Sequence, residues 1–183
     1  MAYRNKIIRN AKTGQEIMFL HTAQNTDGQF LGMYATFQPQ PKPTVLYCLP
    51  QQTVDFDVLS GELTILLKGK YKHLISGQAI TIAANQPHAL WNGSTQQTTI
   101  NCRVRPALNT EYLLETVIGI ASTEADNRKG ISRMLQIALT ANSFSNVFRL
   151  SNFPFIFQKV VFFFLTPIAY LAGFKPVYKE YID

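Results

Sequence analysis

The chain has 183 residues, which is enough for one domain of ordinary size with a smaller addition. Its residues are 46% hydrophobic and only 15% charged, which excludes a disordered or fibrous protein. The net charge is +6, but no base-reading motif or basic-aromatic interleaving accompanies it. We therefore expect no nucleic-acid partner.

The first 106 residues have the pattern of successive antiparallel strands. Short apolar runs alternate with Gly, Pro, Asn and Asp, as in a β-sandwich or β-barrel. The predicted strands are Gln15–His21, Phe30–Gln38, Thr44–Leu49, Thr53–Leu59, Glu62–Lys68, Tyr71–Ile75, Ala79–Ala83, His88–Asn92 and Thr98–Arg105. Ser60-Gly61 and Ser76-Gly77-Gln78 are predicted to form β-hairpin turns.

Three lysines alternate near the middle of this region. Lys68, Lys70 and Lys72 are spaced by two, which places them on one face of a strand. A row of lysines on a strand is typical of a solvated face or of a protected sheet edge.

After Pro106 the apolar spacing becomes helical. A first helix is predicted to begin at Asn109-Thr110, and a second runs from about Ile131 to Thr140. A third covers Phe155–Ala172, with a break at Pro167 and an end at Gly173. We therefore divide the chain into a β-barrel, residues 1–106, and a C-terminal helical extension, residues 107–183, packed on the barrel or on a dimer partner.

The two cysteines, Cys48 and Cys102, lie in apolar segments without metal-ligand spacing. We expect them to be small buried hydrophobic residues. The basic N-terminus is not followed by the apolar stretch of a signal peptide, since Ile7-Ile8 is too short. These features together predict a cytoplasmic location.

The most specific motif runs from Gly77 to Asn92. The spacing of Gly77, His88 and Asn92 resembles the second sequence motif of the cupin superfamily, although Ala83 and Asn85 stand where that motif has Pro and Gly. Upstream, Thr53–Gly61 resembles the end of the first cupin motif. The resemblance implies an antiparallel β-barrel of the double-stranded β-helix or jelly-roll type, followed here by α-helices. It also implies a homodimer.

The resemblance further implies a metal site built from three imidazoles and a carboxylate. The positions of two imidazoles and the carboxylate fall at Tyr47, Leu49 and Val54, so that only His88 is retained. One imidazole does not hold a divalent ion, because sites of this kind need about three protein ligands. His21 and His73 have no spacing that brings them to His88. We therefore expect no metal and no cofactor.

Strand alternation predicts what replaces the metal. The residues expected to face the barrel interior, and to form a largely apolar ligand-binding pocket, are Tyr47, Leu49, Val54, Phe56 and His88. An interior completely filled by side chains is the equally weighted alternative. On the last strand we expect Ile100 and Cys102 inward and Arg103 outward. The opposite orientation would indicate an anionic ligand.

The sequence thus predicts a cupin-fold protein with a degenerate metal site, either a small-molecule-binding protein or a non-catalytic dimeric module. The alternative is a divergent metal-dependent cupin enzyme, a dioxygenase or isomerase. No nucleophile elbow, phosphate loop or acid pair points to another reaction.

The extension contains a long apolar segment, Phe153–Phe174. Its uncharged part, Val160–Phe174, is shorter than the about 20 residues that a membrane span needs. We expect this segment to be buried within the chain or in a homodimer interface. Membrane association is the second interpretation, with attachment to the membrane surface as an intermediate case.

Overall fold

A computed structural model describes residues 2–122, 130–151 and 155–182. The strands are β1 (Ile7–Arg9), β2 (Glu16–His21), β3 (Leu31–Phe37), β4 (Tyr47–Cys48), β5 (Thr53–Ser60), β6 (Glu62–Leu67), β7 (Lys70–Ile75), β8 (Ala79–Ile82), β9 (His88–Trp91), β10 (Thr98–Arg105) and β11 (Arg149–Leu150). The helices are α1 (Thr110–Ser122), α2 (Ile131–Ser143), α3 (Phe155–Leu171) and α4 (Lys179–Ile182), with a short 3₁₀ turn at Gln24–Thr26.

The strands form two antiparallel sheets that enclose the main hydrophobic core. One sheet has the order β1-β2-β3-β10-β5-β8, and the other has the order β11-β4-β9-β6-β7. From β3 to β10 the chain changes sheet at every connection except between β6 and β7. The predicted fold class, an antiparallel barrel followed by C-terminal helices, is confirmed.

Both predicted hairpin turns are wrong. Ser60-Gly61 connects β5 in one sheet to β6 in the other, and Ser76-Gly77-Gln78 connects β7 to β8 in the same way. Gly61 has a φ of +76°, so it supplies a sharp change of direction. A tight glycine turn serves a crossover as well as a hairpin, and the sequence of the turn alone does not distinguish the two.

The hairpin of this region lies between β6 and β7, which are paired from Glu62–Ile75 to Leu67–Lys70. Its turn is Lys68-Gly69, with φ values of +51° and +73°. The alternation predicts that Lys68, Lys70 and Lys72 share one strand face. This is wrong for Lys68, which lies in the turn and not on β7. The predicted sheet edge is confirmed, because β7 is the outer strand of its sheet.

Strand β10 shows how the residue pattern orients the barrel wall. Ile100, Cys102 and Val104 are buried in the core, as expected from alternation. On the opposite face, the Asn101 side chain donates a hydrogen bond to Asp57 and Arg105 bonds to Asp55. The polar side of this strand is therefore outside the barrel.

Helix α1 is fastened to the barrel by polar and apolar contacts. Lys6 Nζ lies 2.7 Å from Glu115 Oε1, in an ion pair whose side chains are almost completely buried. The Glu111 carboxylate accepts a hydrogen bond from the Ala23 amide. Ile118 joins the main core. The buried Gln52 donates to the carbonyl oxygen atoms of Pro106 and Ala107, which fixes the connection that leads into α1.

Helices α2 and α3 pack against one another through Leu135, Leu139 and Ala169. The predicted break at Pro167 is wrong, since α3 continues through it to Leu171. Proline leaves the carbonyl group four residues earlier, that of Phe163, without its helical partner. Both residues lie on the solvent-exposed side of the helix. The predicted end at Gly173 agrees with its φ of +80°.

The outer side of α3 is apolar and exposed. Phe163 is 73% exposed and Leu171 is 90% exposed. The burial expected within the chain for Phe153–Phe174 is therefore wrong for this side of the helix, and Phe153 itself lies outside the described residues. Among the described helices, none combines the length and the hydropathy of a membrane span.

Candidate functional site

Tyr47 and His88 form the centre of the candidate site. They are directly opposite one another in the pairing of β4 with β9, and their ring centroids are 4.5 Å apart. The ring of Phe56 lies 6.3 Å from that of His88. Leu49 and Val54 belong to the same core, which Tyr47 contacts. The structure thus places all five predicted residues in or against the barrel core.

His88 is held in one orientation, and its neutral form in one tautomer. Its side chain is buried, and Nδ1 lies 2.8 Å from the Gln86 carbonyl oxygen. Because a carbonyl only accepts, Nδ1 carries the proton and Nε2 is the acceptor of a neutral imidazole. Burial lowers the pKa of His88, against an opposing effect of the Gln86 hydrogen bond. Nε2 is buried and has no hydrogen-bond partner within the described residues.

The other ionisable side chains of this interior are also neutral. Burial raises the pKa of the Tyr47 phenol and, on β10, the pKa of the Cys102 thiol. Cys102 is opposite Phe56 in the strand register, and both are buried in the core. Arg103 is exposed on the outer face, where its guanidinium lies 5.2 Å from the Phe30 ring. The interior therefore suits an uncharged molecule better than an anion.

The donor atoms of the site do not fit a transition metal. The positions implied by the cupin resemblance hold a phenol at Tyr47 and aliphatic side chains at Leu49 and Val54. In the described part of the chain, no group of three His, Cys, Asp or Glu residues could hold an ion. His73 bonds instead to Glu62 and Thr64 on the outer hairpin. We therefore derive no metal chemistry for this barrel.

One aromatic residue of the site is not predicted from the sequence. Phe148, in the extension, stacks on Tyr47 at a centroid distance of 5.4 Å and an interplanar angle of 26°. It immediately precedes β11, which pairs with β4. A strand of two residues is too short to show an alternating pattern, so the sequence gives no signal for this contact. The extension thereby covers one side of the barrel site.

The other residues of the cupin-like motif have structural roles. The Asn92 side chain donates to the carbonyl oxygen atoms of Phe37 and Gln96, which closes the loop after β9. Asn85 has a φ of +60°, a backbone conformation that Asn tolerates better than most residues. Asn at this position can therefore replace the glycine of the motif. Among these motif residues, His88 is the one whose side chain has a buried polar atom without a partner in the described part of the chain.

An open groove of about 570 Å³ lies beside this site. It is lined by Leu46, Leu66, Lys68, Gly69 and the segment from Ala83 to Pro87. None of the five predicted site residues lines it. Gln86, whose carbonyl oxygen holds His88, is part of its wall, so the groove borders the backbone of the site.

Comparisons with protein-family models and with curated proteins give no match. Among solved structures, a predicted oxalate decarboxylase from Thermotoga maritima is 16% identical, with a TM-score of 0.50, covering 58% of this chain and 99% of that one. KdgF from Halomonas sp. is 10% identical, with a TM-score of 0.49 and coverage of 57% and 91%. The Cupin_2 domain of an XRE family transcriptional regulator from Enterobacter cloacae is 19% identical, with a TM-score of 0.43 and coverage of 50% and 95%.

Identities at this level bear on the fold alone. The two antiparallel sheets, joined by crossovers, are the arrangement expected for a double-stranded β-helix. The chain has the double-stranded β-helix fold of the cupin superfamily.

Proposed function

We propose that this protein is a non-catalytic cupin-fold module that binds a small neutral molecule in its barrel, next to His88. The observation that carries the proposal is the buried Nε2 of His88, a hydrogen-bond acceptor without a partner. Leaving such an atom unsatisfied costs about 1–3 kcal/mol. A donor group on a bound molecule would recover this free energy.

The surroundings of His88 define the class of molecule. A hydroxyl or N–H group is needed to donate to Nε2, because the imidazole is neutral and its other nitrogen is already bonded. Tyr47 and Phe56 offer aromatic surface next to the imidazole. No cationic side chain from β10 faces inward to balance an anion. A small aromatic or alicyclic alcohol meets these conditions.

Phenol is a suitable probe, because it combines one hydroxyl donor with an apolar ring. The chain has only three histidines, so ¹⁵N-histidine labelling gives a simple spectrum. We expect phenol to shift the Nε2 resonance of His88 while the resonances of His21 and His73 stay unchanged. His88→Ala should abolish phenol binding and retain the fold, and His73→Ala, on the outer hairpin, should bind as the wild type does.

A filled barrel is the main competing interpretation. It predicts that phenol leaves the His88 resonance unchanged and that His88→Ala affects only stability. Either result in a folded protein would contradict the proposal.

The alternative function is a divergent metal-dependent dioxygenase or isomerase. Metal analysis of protein purified without added ions separates it from the binding module. The proposal predicts no stoichiometric transition metal. One tightly held ion per chain would favour the enzyme.

A further inference from the structure

Helix α3 is apolar on its exposed side as well as on the side that packs against α2. A helix at the surface of a globular protein normally buries its apolar side and exposes polar residues. In α3 the buried side includes Gln158, whose Nε2 donates to the Leu150 carbonyl oxygen. The exposed large apolar side chains are Ile156, Phe157, Val160, Phe163, Phe164, Ile168, Tyr170 and Leu171.

Part of this set forms a stripe at helical spacing. Ile156, Val160, Phe163, Phe164 and Leu171 recur at intervals that keep them on one side of the helix, and we call these five residues the α3 apolar face. The rings of Phe163 and Phe164 contact each other at 5.4 Å, and both remain largely exposed. Side chains of this size on one face usually mark an interaction surface.

The sequence around α3 carries charge of a single sign. Residues 127–179 contain seven Lys and Arg residues and no Asp or Glu. Lys159 lies within α3, and Lys175 follows its C-terminal end. Both lysines are exposed. The α3 apolar face is therefore flanked by positive charge, which is complementary to an anionic surface.

We propose that the α3 apolar face binds the surface of a membrane that contains anionic lipids. The helix has 17 residues, or about 25 Å at 1.5 Å per residue, and lies flat along the boundary of headgroups and acyl chains. In that position the phenylalanines enter the apolar layer, while Lys159 and Lys175 lie near the lipid phosphates.

A second copy of the chain is the other candidate for covering this face. In a symmetric dimer the same patch meets itself, so the positive charge of one copy would face that of the other. A lipid surface instead supplies the opposite charge along the whole helix. The charge pattern therefore favours lipid over self-association.

Flotation of the full chain with lipid vesicles tests the proposal. We expect binding to vesicles of phosphatidylcholine with about one-third phosphatidylglycerol, little binding to phosphatidylcholine alone, and weaker binding at high salt. Phe163→Ser with Phe164→Ser should lower the apparent affinity about tenfold or more. Lys159→Glu with Lys175→Glu should also lower it about tenfold or more.

A matched control is Ile75→Ser, which replaces an exposed apolar residue on the edge strand β7 and should bind like the wild type. Leu171→Ser provides an independent variant if the double phenylalanine variant folds poorly. His88→Ala should bind vesicles normally, so this test does not depend on the barrel ligand.

Three results would overturn the proposal. One is the absence of binding to the mixed vesicles. Another is unchanged binding after the phenylalanine or the lysine substitutions. The third is a dimer in sedimentation that the phenylalanine substitutions dissociate while vesicle binding is absent, which would assign the face to a second copy.

Discussion

The barrel and helix α3 use the same kind of side chain in opposite ways. In the barrel, Phe56 is 4% exposed, whereas in α3 Phe163 is 73% exposed. The outer face of the barrel wall carries polar pairs such as Arg105 with Asp55, at 2.5 Å. The inner side of α3 includes a glutamine. The barrel strand β10 has apolar residues inside and polar residues outside, whereas α3 also has large apolar residues on its exposed side.

This difference shows where the high apolar content of the chain is used. The apolar residues inside the barrel are buried, with Ile118 of α1 among them, so they contribute to the folding free energy. The α3 apolar face contributes little in the isolated chain, because its area stays in contact with water. The membrane binding proposed above accounts for these exposed residues, which folding of the isolated chain does not.

The largest expected effect is on stability, and it tests the contrast between the barrel and α3 directly. Phe56→Ala should lower the free energy of unfolding by about 3–5 kcal/mol, because it leaves a cavity in the core. Phe163→Ala should change it by less than about 0.5 kcal/mol, since its ring is already solvated. Urea unfolding of both variants measures the difference, and similar losses would show that α3 is as much a part of the core as β5.

A second prediction concerns the link between the barrel and the extension. Lys6→Met should cost about 3 kcal/mol or more, because it leaves the Glu115 carboxylate buried without its cation. Lys6→Met combined with Glu115→Leu should recover much of the loss. Arg9→Met, in the exposed pair with Glu16, should cost no more than about 1 kcal/mol. Equal costs in chemical denaturation would contradict a buried link.

Two of the glycine turns of the barrel, at Gly61 and Gly69, give a third prediction. A Cβ on Gly61 would lie 2.6 Å from the Gln97 carbonyl oxygen and 2.9 Å from Thr98 Cα, whereas at Gly69 it would meet nothing within 4 Å. Gly61→Ala should therefore cost about 2–3 kcal/mol, against about 1 kcal/mol for Gly69→Ala, which has only the positive φ to accommodate. Thermal unfolding compares them, and equal losses would argue against the close crossover.

Much of the barrel could be predicted from the sequence, because its signals are local. Period-two alternation oriented Val54, Phe56 and Ile100, and the motif spacing located His88. Strand partners are not local information, which is why the turn sequence at Gly61 predicts a hairpin where the structure has a crossover. The same limitation explains the unpredicted contact of Phe148 with Tyr47.

The expectation for α3 depended on a general rule. The apolar segment was expected to be buried because folding usually covers such residues. The sequence shows that Phe163 and Leu171 are apolar and share a side of the helix, but it does not show whether another element covers that side. Only the three-dimensional arrangement shows that this side is left exposed.

The smallest effect is a pH dependence of stability. The pKa of His88 is lowered below its usual value of 6.5 in the folded chain, so below about pH 6.5 the unfolded chain binds more protons than the folded chain. Stability should therefore fall as the pH falls below about 6.5, by at most about 1.4 kcal/mol per pH unit. Urea unfolding at about pH 7.5 and pH 5 should show this loss of stability at low pH in the wild type and in His73→Leu.

His88→Leu should lack the part of the pH dependence that comes from His88, since it removes the titrating group. A loss of stability as large in His88→Leu as in the wild type would assign the effect to other groups.

The central claim is that a bound molecule satisfies His88 in the barrel. A high-resolution crystal structure of the protein as purified, or soaked with phenol, tests it most directly. The account predicts density larger than a water molecule, within hydrogen-bond distance of Nε2 and in contact with Tyr47 and Phe56. Side chains closed around Nε2, with no room for more than a water molecule, would contradict it.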